Sequence, residues 1–242
     1  LKGLLDLMGV TGASTAAGNV DLYFKKATDL GIREADASTV HQRLRAAQGY
    51  VYWTGIEASQ GNEAQLATRF CTTFDGTNNP LVAAGGVALA GTPTAAEQFT
   101  LGPIKLNGSF LTGVRSWSLD LGFDTYEELA DGDVFPTFFG MKQIMPVLTF
   151  RTLDETLWSS LTPSGTAISA AIAYLRRKQA DSANYADGSS QHIAFTATNG
   201  IIVPVRSSGG RNDLREFECR LVFRAANASS QVLTVATATT IA

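Results

Sequence analysis

Charge is the scarcest commodity in this 242-residue chain. Only 17% of residues are charged, against roughly 25% in an ordinary soluble domain. The balance is 19 Lys+Arg to 22 Asp+Glu, a formal net charge of −3. A chain this weakly charged and 45% hydrophobic is excluded from the disordered class. Its pI near 5.4 excludes a protein that grips nucleic acid over its whole surface. Cysteine is also scarce. Cys71 and Cys219 lie far apart in sequence and belong to no CxxC pair. A disulfide framework is thereby excluded, and reduced thiols are expected. The only histidines, His41 and His192, complete no zinc-ligand spacing. Long apolar runs are missing too. The longest uncharged, mostly apolar stretch outside the N-terminus, Leu81 to Gly91, is too short to span a bilayer. No membrane insertion is expected.

The N-terminal residues Leu1 to Val10 carry a Lys before apolar residues, but Asp6 interrupts what would be a signal-peptide core. They read as an arm of the mature chain. Asn107-Gly-Ser109 and Asn227-Ala-Ser229 fit the glycosylation pattern, which matters only in a eukaryotic secretory context. The motifs of common enzyme classes are missing: no P-loop, GxGxxG, HExxH or GxSxG occurs. His41, among Gln42, Arg43 and Arg45, reads as a solvated or interface residue, and His192 as structural. The acidic residues Asp124, Glu127, Glu128, Asp131 and Asp133 lack the alternating ligand pattern of a calcium loop. They read as a solvated turn. Asp75-Gly-Thr-Asn-Asn79 is a similarly weak calcium look-alike. No catalytic residue, cofactor or metal site is assigned.

What the chain does contain is strand patterning. Ser116 to Leu121 alternates strictly, with Trp117, Leu119 and Leu121 on one face. Arg215 to Arg224 is the clearest strand: Phe217, Cys219, Leu221 and Phe223 face one side, and Glu216, Glu218, Arg220 and Val222 the other. Val20 to Phe24, Gly49 to Trp53 and Val147 to Arg151 also read as strands. Residues 62–74 end in strand-like composition, and 231–235 offer a last strand before an Ala/Thr-rich tail. Leu153 to Leu161 reads as a short helix with Asp154 as N-cap and Pro163 beyond its end. Residues 166–178 fit helix and strand equally. Asn199-Gly200, between two apolar runs, predicts a hairpin. Residues 76–98 hold almost no charge and predict a long loop too apolar to sit in water. It is expected to cover a neighbouring subunit, through Pro80, Leu81, Val82, Val87 and Leu89, or else to fold over its own core. No internal repeat or composition break divides the chain, which gives one domain over 1–242. Its expected arms are residues 1–20 and a C-terminal strand or arm over 225–242.

The low charge and abundant Gly, Ala and Thr suit a surface that desolvates easily against copies of itself. They equally suit a small-residue-rich soluble β protein. The order of features then decides between them. Val20-Asp-Leu-Tyr-Phe24, Thr100 to Gly108, Asp131-Gly-Asp-Val-Phe-Pro-Thr137 and Pro146 to Asp154 form one part of the pattern. Tyr174-Leu-Arg-Arg-Lys178, His192-Ile-Ala-Phe-Thr196 and Asn199-Gly200 form the other. Together they resemble the tail tube proteins of long-tailed, siphovirus-type bacteriophages, over most of residues 20–224. The resemblance is one of strand order and spacing. It implies a mainly β fold, a β-sandwich or half-barrel with a flanking α-helix, an oligomerisation loop and extended terminal arms. It also implies self-assembly into stacked, typically hexameric rings that form a hollow tube for DNA. The implied partners are further copies of the chain, the tape measure protein, the tail terminator and the distal tail or baseplate proteins. DNA would be touched only in passing. The implied location is the virion tail, assembled in the bacterial cytoplasm.

A conducting bore should not bind phosphate, so a polar, mildly acidic lining is expected. Asp120, Glu216 and Glu218 are the candidate carboxylates for it, although neither strand's polar face need be the lining. Two other classes remain open: another β-rich virion part, such as a distal tail, terminator or decoration protein, and a carbohydrate-binding β-sandwich that would expose Trp53, Trp117 or Trp158.

Overall fold

The computed structural model describes residues 20–25, 41–89, 97–179, 183–209, 214–225, 227 and 230–242. The expected N-terminal arm, apart from Val20, lies outside the described residues, as do residues 90–96 of the expected loop. In chain order the first strands are β1 (Val20–Lys25), β2 (His41–Ala46), β3 (Gly49–Ser59), β4 (Gln65–Thr72), β5 (Leu81–Val87) and β6 (Phe99–Leu106). Then come β7 (Ser109–Phe110), β8 (Ser116–Asp120), β9 (Asp124–Glu128), β10 (Phe138–Gln143) and β11 (Val147–Thr152). After a helix, α1 (Glu155–Ser160), follow β12 (Thr166–Ile168), β13 (Ala171–Arg177), β14 (His192–Ala197), β15 (Gly200–Ser208), β16 (Glu216–Phe223) and β17 (Thr234–Thr239). The fold is mainly β, as the patterning predicts.

Two antiparallel sheets share one core. The larger has the order β12-β15-β16-β11-β8-β3-β4, and the smaller β17-β14-β13-β6-β7. The alternating residues meet between them. Trp117, Leu119, Leu148, Phe150, Cys219, Leu221 and Phe223 come from the large sheet, and Ile104, Ala173, Leu175, Ile193 and Phe195 from the small one. Phe195 joins the layers: its ring lies 5.8 Å from Trp53 and 5.7 Å from Trp117. A register shift between Trp53 and Gly55 changes the phase of β3. Trp53, Ile56 and Ala58 can therefore all face the core while Tyr52 is buried on the opposite side.

Helix α1 closes one end of the sandwich. The Asp154 side chain accepts a hydrogen bond from Leu157 N at 2.8 Å, which confirms it as the N-cap. Trp158 stacks on Phe217 at 5.0 Å, so neither Trp158 nor the buried Trp53 and Trp117 offers an open aromatic platform.

Four expectations are corrected, and one open alternative is resolved. Asn199-Gly200 does not make a hairpin: β14 pairs with β13 and β17, while β15 pairs with β12 and β16. The turn carries the chain from one sheet to the other. A turn dipeptide fixes local geometry, but the ladder partners are chosen by burial, and β14 is largely buried on both faces. Residues 76–98 are not one irregular loop, because Leu81–Val87 forms β5 against β2. Its Ala and Gly residues conceal a strand that exists through its ladder. Residues 166–178 resolve as two strands rather than a helix. The last strand begins and ends later than 231–235, and no loose tail follows it: Ile241 is buried, and its N–H donates to Asp187 O at 2.8 Å. His41 is buried rather than solvated, at 3% exposure, because it opens β2 between Lys25 and Val87.

Candidate functional site

Two elements project from one end of the sandwich. The first is a flap, the antiparallel sheet β1-β2-β5. Its register sorts its side chains by face. Val20, Ala46 and Leu81 form one row, and Leu22, Leu44 and Ala83 the next, with Phe24 beside Gln42. On the reverse face Asp21 lies beside Arg45, and Tyr23 beside Arg43. Arg45 grips Asp21 with two bonds of 2.7 Å, while Arg43 stands 3.9 Å from the same carboxylate. The hydrogen bonds and charge of Arg45 hold Asp21 below the usual carboxylate range, against a smaller opposing effect of burial. The apolar face has no such satisfaction: Leu22, Phe24 and Leu81 are all exposed.

The flap is joined to the body at a constrained root. Gly49 has φ 136°, and a Cβ there would sit 1.9 Å from Cys71 O, so only glycine fits. Ala47 N donates to Pro80 O at 2.9 Å, and Thr73 N to Gln48 O at 3.4 Å. The Asp75 carboxylate accepts from Thr77 N, Asn78 N, Asn78 Nδ2 and Gln48 Nε2. The bonds from Asn78 and then Thr77 lower its pKa to about 2. The segment that resembled a calcium loop is thus a self-satisfied turn.

The second projection is the hairpin β9–β10. Phe139 turns inward onto Tyr50 and Tyr52, with ring centroids 5.6 and 5.7 Å away, and Phe74 N donates to Pro136 O at 2.8 Å. Hairpin and flap therefore share the Gly49–Thr72 end of β3 and β4. The hairpin's outer face carries Tyr126 and Phe138, 5.7 Å apart, with Lys142 Nζ 5.6 Å above Tyr126. Gly140 makes room for this, since a Cβ there would meet the Tyr126 ring at 2.4 Å. Phe138 is 48% exposed and Val134, at the tip, 84%. Leu129, Ile144 and Met145 are also exposed.

The third surface is the outer face of the large sheet, where all three candidate lumen carboxylates lie. Here the register runs Arg206–Glu218–Arg151–Ser116–Ser59 in one row and Val203–Arg220–Thr149–Ser118–Glu57–Gln65 in the next. A shallow groove of about 610 Å3 crosses these rows. Asp120 is exposed and accepts from Gly122 N. Glu216 lies 3.9 Å from Arg115. Glu218 is held between Arg151 at 3.1 Å and Arg206 at 2.8 Å. Burial raises its pKa, but the hydrogen bonds from Arg206 and Arg151, with their charges, outweigh it and leave the carboxyl below its usual value. Glu57, Asp120, Glu216 and Glu218 are thus balanced by Arg115, Arg151, Arg206 and Arg220. The face is polar and charge-compensated rather than acidic.

The sequence-derived interface residues divide. Leu81 and Val82 are exposed on β5, and Val87 and Leu89 are half-buried. Pro80 is buried in its own chain, where it anchors the flap root rather than facing outward. The reading missed Leu22 and Phe24 as surface groups, and with them Leu129, Val134 and Phe138. Leu129 and Val134 are apolar residues inside an acidic turn, and that contrast was the available signal. His192 is structural: Arg177 N donates to its Nδ1 at 3.3 Å, and its Nε2 lies 2.9 Å from Ala186 O. Among the described residues no group of three or more His, Cys, Asp or Glu gathers as a metal site. None of their helices is long and apolar enough to cross a membrane.

No protein-family model matches the chain, and no curated protein matches it at a significant level.

Proposed function

We propose that this chain is a self-assembling structural subunit, the tail tube protein of a long-tailed bacteriophage, whose rings stack into a hollow tube for DNA. The observation that carries the reading is the state of its sheet edges. Among the described residues β4 runs eight residues with a ladder on one side only, and it carries no proline and a single charge, Arg69, where a solitary edge is commonly protected by prolines or several charges. Uncovered edges of this kind invite pairing with another chain. The exposed apolar flap and hairpin add the same demand. Heterologous contacts that repeat with rotation close into rings, and a second repeating contact stacks those rings.

In this reading the charge-compensated face of the large sheet, with Asp120, Glu216 and Glu218, lines the bore. Its arginines are paired or interleaved with carboxylates, so it holds passing phosphates weakly. The partners are then further copies of the chain, the tape measure protein around which the tube is laid, and the terminator and distal tail proteins at its ends. No catalysis is part of this role.

Electron microscopy of the purified protein tests the reading. Rings or tubes with a central channel are expected. A monodisperse monomer across assembly conditions would overturn it, and single rings that never stack would favour a terminator or distal tail component. Ala67→Lys on β4, at an exposed position, adds a charge along the open edge and should reduce assembly without unfolding the subunit.

A further inference from the structure

The exposed large apolar side chains are not scattered. Leu22, Phe24, Leu81 and Val82 lie on the flap, and Leu129, Val134, Phe138, Ile144 and Met145 on or beside the hairpin. Among the described residues only Phe110, Val205 and Leu214 lie elsewhere. One end of the sandwich therefore presents two apolar projections side by side. They do not cover each other within a chain, since Phe24 is 54% and Phe138 48% exposed. We propose that the flap of one copy covers the β9–β10 hairpin of the next copy in the ring, with Leu22 and Phe24 against Val134 and Phe138.

This proposal rests on the tube-subunit reading, and three observations select the occupant. Both projections rise from the same end of β3 and β4, so in a ring of like-oriented copies they stand at the same height. A flap then meets a neighbour's hairpin rather than the far end of a copy in the next ring. Their charges also oppose. From Asp124 to Gln143 the chain carries Asp124, Glu127, Glu128, Asp131 and Asp133 against Lys142 alone. On the flap, Arg43 and Arg45 share the single carboxylate of Asp21 on the reverse face, which leaves the element as a whole with an excess of positive charge. Like-on-like contact would bring two acidic or two cationic elements together, whereas flap on hairpin brings elements of opposite net charge together through their apolar faces. Finally, the flap's apolar rows run across all three strands, a surface broad enough to cover both Val134 and Phe138.

Paired cysteine variants of the full chain test the contact. Leu22→Cys or Phe24→Cys is combined with Val134→Cys or Phe138→Cys, and the assembled protein is oxidised. All four positions are exposed, and the native Cys71 and Cys219 are buried. The double variants should give a ladder of covalent oligomers on a denaturing gel, while single variants stay monomeric. Dimers from the single variants would overturn the proposal in favour of like-on-like contact. An intrachain crosslink would overturn it in favour of closure within one copy. Rings without any crosslink in all four pairs would overturn it and leave the tube reading standing. If wild-type protein forms neither rings nor tubes, the tube reading itself fails, and the proposal with it. Phe138→Ser should also raise the concentration needed for rings about ten-fold or more at unchanged melting temperature. Assembly at the wild-type concentration would count against the contact.

Discussion

Phe195 is the side chain on which the union of the two sheets depends most directly. It belongs to β14 of the small sheet, is 1% exposed, and touches Trp53 and Trp117 of the large sheet. Phe195→Ala removes the ring and leaves a space between two β-layers whose backbones are fixed by their own ladders. Neither layer can collapse freely into the gap. The expected loss is therefore at the upper part of the ~3–5 kcal/mol range for such truncations, including about 0.5–1.5 kcal/mol per aromatic pair. Against a total of ~5–15 kcal/mol for a typical domain, the variant should fold but with a much reduced margin.

Equilibrium urea unfolding, followed by far-UV circular dichroism, measures this loss. With a slope of ~2–3 kcal/mol/M for a domain of this size, the midpoint should fall by about 1.5–2 M at unchanged slope. The measurement belongs at concentrations below assembly, because association stabilises the folded subunit by mass action. Phe138→Ala is the control. It removes the same ring from a half-exposed site on the hairpin and should shift the free subunit by less than about 1 kcal/mol. If Phe195→Ala cost no more than Phe138→Ala, the two sheets would not share the core described above.

Three other outcomes follow from the same structure. Cys71 and Cys219 are free and buried; burial raises the pKa of Cys71 and pushes that of Cys219 up to about 12. Neither should react with a thiol reagent in the native subunit and both should react in denaturant, so rapid native labelling would contradict the burial. Glu218 has its folded pKa below its ordinary value of 4.5, so it contributes stability that is present above that value and lost as pH falls through the folded pKa. The advantage of wild type over Glu218→Gln should shrink on acidification below about pH 4.5, and a difference independent of pH would refute the ion-pair account. Deleting residues 78–92 removes β5 from the flap while leaving both sandwich sheets. Circular dichroism and melting temperature should stay close to wild type and ring formation should fail, whereas normal tubes from this deletion would remove the flap from the interface.

The parts of the fold that were legible in the sequence are those where one face is buried and the other wet. In β8 and β16 the alternation of Trp117, Leu119 and Leu121, or of Phe217, Cys219, Leu221 and Phe223, follows directly from the pleat. The Asp154 cap was legible because its partner, Leu157 N, is local. What stayed hidden depends on contacts distant in sequence. β14 is largely buried on both faces, so its neighbours could not be read from periodicity, and Asn199-Gly200 suggested a hairpin that the ladders reject. β5 is small and Gly-rich, and only pairing with β2 makes it a strand. Asp120, Glu216 and Glu218 were correctly placed on polar faces. That all three share one sheet face, and that Glu218 is already neutralised by arginines from β11 and β15, required the register of three strands.

The distribution of charge over the molecule bears on why an assembly would be built this way. A soluble β protein with open edges normally protects them with charge, and this chain has little to spend. It concentrates carboxylates on the β9–β10 hairpin and arginines in pairs across the large sheet, while β4 carries a single charged side chain, Arg69. Strong charge on the edges would resist every neighbour, including the correct one. Charge of opposite sign on two projections discriminates instead, opposing flap on flap and hairpin on hairpin while permitting flap on hairpin. A two-fold contact, with flap on hairpin in both directions, would close as a dimer and leave the β4 edge open. A head-to-tail contact leaves one unused flap and one unused hairpin at the two ends of any open chain of copies, and these can satisfy each other only when the chain becomes a ring.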